Sequence, residues 1–367
     1  MMYGAKRKRL MARGRTGATV AAVALCGCLV LLISACGSTT SSSAPSSGAS
    51  SASNSASGQN YRVGVVLDDL TNPAIQAIAD GMSAEVKSKY PQVHLQIQGS
   101  TDLQDEVAKA QTMITSGVSA LGLEAYTGPG VMPVLQQAKS AHIPVFMVED
   151  NAPGAVQQGL AVTFIAADET QGGYLVGQAM AKALGGRGKV AIVEGAAGDA
   201  TAEARTAGFM SAIRGTKIKV VASADGNWEQ DTGLSVTGPI LTANPDLNGI
   251  FAENDLMGLG ALQAIQQAHK EGRIFLAGYN GSCQGLQATL QGKFQLDGIL
   301  YLKAVGQRFV DDVVAYRRGA KVPPRDVLPI AALTTSQLQG VRAGTLTSVP
   351  VVSELRPLVQ TASSGHC

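Results

Sequence analysis

A chain of 367 residues that is 45% hydrophobic, 15% charged and only 4% aromatic has room for two cored domains, and its Ala/Gly/Val-rich makeup suits alternating strands and helices. Six of the 29 basic residues (Lys6, Arg7, Lys8, Arg9, Arg13, Arg15) stand before residue 36 and no acid does, so 23 basic and 27 acidic groups follow, a net of −4. A mildly acidic body without a clustered basic face excludes nucleic acid as a partner.

The first elements in chain order form an address. A basic stretch at 6–15 leads into the uncharged apolar run 18–33, and then Ile33-Ser34-Ala35-Cys36-Gly37. This is the layout of a secretory signal. The alternative is an uncut membrane anchor, but 16 apolar residues are short for a span of roughly 20. Ser34-Ala35-Cys36 behind an aliphatic residue resembles the bacterial lipobox. That resemblance implies cleavage before Cys36 and lipidation of its sulfur, with each buried CH₂ contributing about 0.8 kcal/mol to anchoring. Residues 38–59 are almost wholly Ser, Ala, Thr and Gly, which cannot bury apolar surface and read as a flexible tether. Cys26 and Cys28 leave with the signal, so Cys283 and Cys367 remain as an even pair in an oxidising compartment. They are expected to form a disulfide pinning the tail to the body; two unrelated thiols is the alternative.

From Tyr61 the periodicity alternates. Strands are predicted at 61–67, 94–99, 119–124, 143–149 and 162–168. Helices are predicted from Asn72-Pro73 onward, over 103–115 behind an Asp102 cap, and near 131–140. The cycle then restarts. Helices are predicted at 170–184, 201–214, 230–243, 255–268, 284–291 and 302–317. They are interleaved with strands at 188–195, 218–224, 248–254, 273–280 and 295–301, and a short strand near 328–333 follows a crossing at about 320–328. Short apolar runs joined by helices predict an α/β fold of two doubly wound parallel-sheet lobes. Such sheets bind ligands beyond the carboxyl ends of their strands.

Those ends carry Asp68, Asn72, Glu124, Glu149 and Asp150 in the first half, and Glu194, Trp228, Asn254-Asp255 and Tyr279-Asn280 in the second, with Arg205 on a following helix. Carboxylates, amides and a guanidinium engage neighbouring hydroxyls in pairs, and an indole stacks on the C–H face of a sugar ring. Asp68, Asn254 and Asp255 have a plainer reading as helix caps, and Trp228 as core. Glu149 and Asp150, adjacent in an extended strand end, are expected on opposite sides of it, a poor acid/base couple.

Several stretches resemble the ribose-binding-protein family, the type I solute-binding proteins of ABC importers: Thr71-Asn72-Pro73, the helix Ala204-Arg205-Thr206-Ala207-Gly208-Phe209, the run Phe251–Leu262, and Ala277-Gly278-Tyr279-Asn280-Gly281. The resemblance covers about 61–340. It implies two lobes joined by three crossing segments, with sugar between them and Asn72, Arg205, Asn254 and Asn280 touching it. By position, Asp68, Glu124, Glu149, Asp150 and Trp228 also line the cleft. The lobes are expected as 61–166 with 301–325, and 167–300 with 326–340. Residues 1–35 are the signal, 36–60 the lipidated Cys and tether, and 341–367 an extension. The family usually has Asp at the place of Asn280, Asp-Arg at Glu149-Asp150, and aromatics at Ala74 and Ile75, so this cleft is more acidic and less aromatic than a ribose site.

The function implied is an extracytoplasmic, membrane-anchored, monomeric receptor that hands a small sugar-like solute to an ABC permease. A sensor of a sugar or autoinducer-like furanose is the alternative. An enzyme is not expected: His94, His142, His269 and His366 are scattered without metal spacing, and no Gly-x-Ser-x-Gly elbow or phosphate loop is present. No cofactor or metal is implied.

Overall fold

A computed structural model describes residues 61–125, 128–350, 352–365 and Cys367. The expected signal, Cys36, the tether and His366 lie outside the described residues.

The first sheet is built from β1 (Tyr61–Leu67), β2 (Val93–Gly99), β3 (Ala120–Leu123), β4 (Val145–Val148) and β5 (Thr163–Ala167), joined by α1 (Pro73–Lys89), α2 (Leu103–Thr115) and α3 (Met132–Ser140). The second is built from β6 (Arg187–Glu194), β7 (Lys217–Asp225), β8 (Gly249–Ala252), β9 (Phe275–Asn280) and β10 (Leu296–Ile299). Its helices are α4 (Glu169–Ala183), α5 (Ala200–Ile213), α6 (Gln230–Ala243), α7 (Asp255–Gln267) and α8 (Cys283–Leu290). The chain then returns through α9 (Leu302–Arg317) and β11 (Arg325–Leu328) before β12 (Ala331–Thr334), α10 (Thr335–Ala343) and α11 (Val352–Ser364).

The sheets have matching orders, β11-β5-β4-β3-β1-β2 and β12-β10-β9-β8-β6-β7. Every pairing is parallel except β10 with β12. The strand cores are apolar on both faces, as sheets covered by helices require. In each sheet the winding reverses beside the first strand, which opens a crevice at the carboxyl edge.

Three crossings join the lobes, after β5, after β10 and after β11. The third lies at Pro329-Ile330. Residues 326–328, expected with the second lobe, pair with β5 in the first sheet instead. The tract from Pro323 to Leu328 carries only one buried residue, so it lacks the apolar run that marks a strand, and its pairing partner is remote in sequence. The crossing is a strand on each side with two residues between. The extension takes over the last turn of α10 and adds α11 on the second lobe, and Cys367 is bonded to Cys283, the first residue of α8, with Cα atoms 5.4 Å apart.

Candidate functional site

Helix caps set the carboxyl edge. Asn72 Oδ1 accepts from the Ala74 N–H at 3.0 Å, and Pro73 sits where no N–H is needed. Asp199 accepts from Thr201 N–H at 2.7 Å, Asn254 from Met257 N–H at 2.7 Å, and Ser282 from Gly285 N–H at 3.1 Å. The caps aim the first turns of α1, α5, α7 and α8 at the space between the lobes.

That space holds a cleft of about 450 Å³ counted together with its solvent-open mouth. All nine residues singled out from the sequence line it: Asp68, Asn72, Glu124, Glu149 and Asp150 from the first lobe, and Arg205, Trp228, Asn254 and Asn280 from the second. The capping and lining roles are not exclusive. Asn72 and Asn254 do both. Asp68 lines without capping. Asp255 does neither: buried behind the wall, its carboxylate accepts from the N–H groups of Tyr279 at 3.0 Å and Ser282 at 2.8 Å. Asp297 beside it accepts from Gly281 N–H at 3.3 Å, so this acid pair fixes the loop that presents Asn280. Burial pushes Asp255 up to about 7 and Asp297 well above its ordinary value.

Arg205 is the fixed cation. Only 3% exposed, it donates from Nε to Glu169 Oε2 at 2.7 Å and from Nη1 to the Glu253 carbonyl at 2.7 Å. Its guanidinium lies 4.2 Å from the Tyr279 ring centroid and 5.3 Å from that of Trp228. The Tyr279 hydroxyl donates to the same Glu169 oxygen at 2.8 Å. Burial disfavours the Arg205 charge, but Glu169 and Tyr279 beside it hold its pKa above the ordinary value. Trp228 is held by its indole N–H, which donates to Asp199 Oδ2 at 2.9 Å, and its ring lies against Gly195, where any side chain would collide.

The opposite wall is acidic. Glu124 Oε2 accepts from the Asp68 N–H at 2.9 Å. Glu149 and Asp150 do not diverge as an extended end requires. Glu149 has φ +59°, a left-handed turn that breaks the alternation and brings both side chains to the cavity. Trp228 at φ +62° and Asn280 at φ +114° share this strain, so three of the six described non-glycine residues with positive φ line one cavity. Strain of this kind clusters at ligand sites. Burial raises the Asp68 carboxyl to about 6 and Glu149 to about 8, and holds Glu124 and Asp150 well above the usual range.

The lobes meet across the cavity through Asp150 with the Thr201 hydroxyl and Glu149 with Arg205 Nη2 at 3.9 Å. Glu149 Oε2 and Asn280 Oδ1 are buried with no hydrogen-bond partner among the described residues. Thr201 was legible but not singled out: it lies four residues before Arg205, on the same face of α5. Ala74, Ile75, Ile78 and Leu302 complete the wall, with aliphatic groups at the two positions where the resemblance leads one to look for rings. Among the described residues no His, Cys, Asp or Glu cluster could hold a metal.

A planar cation, one indole face, amides and carboxyls around a space between two lobes suit a small polyhydroxylated solute. The relatives agree. The chain is 31% identical over 261 residues to the ribose import binding protein of Escherichia coli K12, covering 71% of this chain and 86% of that one. It is 32% identical to the D-ribose/D-allose-binding protein of Pseudomonas aeruginosa, over 60% of this chain and 70% of that one. The crystal structure of an ABC transporter periplasmic solute binding protein from Actinobacillus succinogenes with bound D-allose superposes with TM-score 0.71 at 29% identity, over 76% of this chain and 98% of that one. Residues 63–317 match the periplasmic binding protein domain, well over half of the chain. The chain belongs to that family of extracytoplasmic sugar-binding components of ABC transporters, which are receptors and not enzymes.

Proposed function

We propose that this protein captures a monosaccharide or polyol between its lobes and delivers it to an ABC permease, held at the outer face of the membrane as a monomer by lipidated Cys36. One observation carries the reading: nine polar or aromatic residues from two separate sheets converge on one cavity that contains unpartnered buried acceptors. Hydroxyl donors satisfy such acceptors, and only when both lobes meet the ligand, so binding selects the closed form that a permease recognises. The relatives' named ligands, ribose and allose, set the class. The replacement of a cation by Asp150 and of rings by Ala74 and Ile75 favours a solute other than ribose itself.

A thermal-shift panel of pentoses, hexoses, polyols and amino sugars tests this, since a ligand at about 100 times its Kd stabilises by about 2.7 kcal/mol. At least one member is expected to raise the melting temperature, and Arg205→Ala to weaken its binding by tenfold or more. No shift with any member, or an unchanged affinity in Arg205→Ala, refutes the assignment of the cleft.

A further inference from the structure

The cavity's charge is one-sided. Its single cation, Arg205, is already matched by Glu169 at 2.7 Å and capped by the Glu253 carbonyl at 2.7 Å. Four carboxyls face it from the first lobe, and among the described residues no other basic side chain lines the space with them. A neutral sugar can hydrogen-bond to these groups but cannot offset the charge they take on when they ionise. Only Glu149 among the four approaches the guanidinium, at 3.9 Å, and its other oxygen, Oε2, has no partner although the side chain is 94% buried. The surroundings deepen the imbalance. Asp199 faces Asp68, Glu149 and Asp150 from the loop before α5; Glu169 faces Glu149 from α4; and Asp69 and Glu229 face Asp68. Thr201 supplies Asp150 with one hydrogen bond and no charge. The acids are spread along a wall and do not converge as a metal site would, which fits an organic cation with several hydroxyls.

We propose that the solute carries an amine: an amino sugar or aminopolyol whose ammonium sits against Glu149 and Asp150, with its hydroxyls on Arg205, Asn72 and Asn280 and its apolar face on Trp228. The proposal rests on the reading of this cavity as the sugar site and narrows it. An ammonium gives the unpartnered Glu149 oxygen a charged donor and lets the neighbouring acids ionise, the same step that closes the lobes. Burial and mutual repulsion keep these carboxyls protonated in the empty cleft, so an ammonium ligand binds by expelling protons, and its affinity rises with pH until the amine itself deprotonates.

Matched pairs decide it. The full chain is titrated calorimetrically with D-glucosamine against D-glucose, D-galactosamine against D-galactose, and 1-amino-1-deoxyribitol against ribitol, at pH 5.5 and pH 7.5. In at least one pair the amine is expected to bind about tenfold or more tighter at pH 7.5, with the advantage shrinking at pH 5.5. Glu149→Gln, which keeps size and shape, is expected to weaken the amine by a similar factor and to remove its advantage over the neutral counterpart at both pH values. A neutral sugar or polyol that binds as tightly as its amine at both pH values overturns the inference and leaves the sugar-receptor reading standing. Absence of binding by every compound in both forms sinks both.

Discussion

At the scale of single residues, the acid wall ties the closed form to pH. Glu149 has an ordinary value of 4.5 and a folded value of about 8; Asp68 goes from 3.8 to about 6. A carboxyl raised in the folded state favours that state fully below its ordinary value, and the contribution is lost as pH climbs through the folded value. The ligand-free protein is therefore expected to melt at progressively lower temperature between about pH 4 and pH 8. Glu149→Gln should flatten the upper part of that slope. A melting temperature that rises across this window would contradict the burial of these acids. The identity of the wall was legible, because strand ends in this fold point at ligand and each of these residues follows an apolar run. Its geometry was not. The left-handed turns at Glu149, Trp228 and Asn280 leave no mark in residue type, since none is glycine, and Glu169 and Asp255 act from behind the wall, where sequence offers no distance.

At the scale of elements, the lobes depend on helices that touch backbone to backbone. A side chain at Gly173 would stand 2.0 Å from the Arg205 carbonyl oxygen, and one at Gly208 2.0 Å from that of Thr170, so α4 and α5 cross at a reciprocal glycine pair. Gly81 and Gly306 do the same for α1 and α9. The α4–α5 crossing sets where Arg205 enters the cavity and where it finds Glu169. Gly208→Ala is expected to cost about 2 kcal/mol by forcing the helices apart, read as a lower urea midpoint, and to weaken ligand binding although residue 208 lines nothing. Stability lost with affinity intact would separate the crossing from the site. Helices 103–115, 230–243 and 302–317 were readable because apolar residues recur along them at a 3.6-residue period, and Asp102 caps the first of them. β11 was not, because Arg325–Leu328 is mostly exposed and becomes a strand only by pairing with β5, some 160 residues away.

At the scale of the whole molecule, both ends of the Cys283–Cys367 bond lie on the second lobe, but the 84-residue span between them passes through α9 and β11 of the first. In the chain-entropy account, closing a loop of that size stabilises by about 4–5 kcal/mol. Reduction is thus expected to lower the unfolding midpoint while leaving closure on ligand intact, because the bond bridges no hinge. The secreted protein should expose no thiol to labelling reagents, folded or unfolded, until it is reduced. Two reactive thiols in the native protein would refute the pairing. The pairing followed from the count of cysteines left after export; the two helices that carry Cys367 back to α8 did not, for a polar tail gives no sign of what it will pack against.

Trp228 is the only tryptophan in the chain, and it stands in the cavity with a guanidinium 5.3 Å from its ring and a carboxylate on its indole nitrogen. The protein's ultraviolet emission under selective excitation therefore comes from one reporter at the place where solute enters. Unlabelled receptor in a cuvette should act as its own optical sensor, its colour and brightness shifting as the cleft fills.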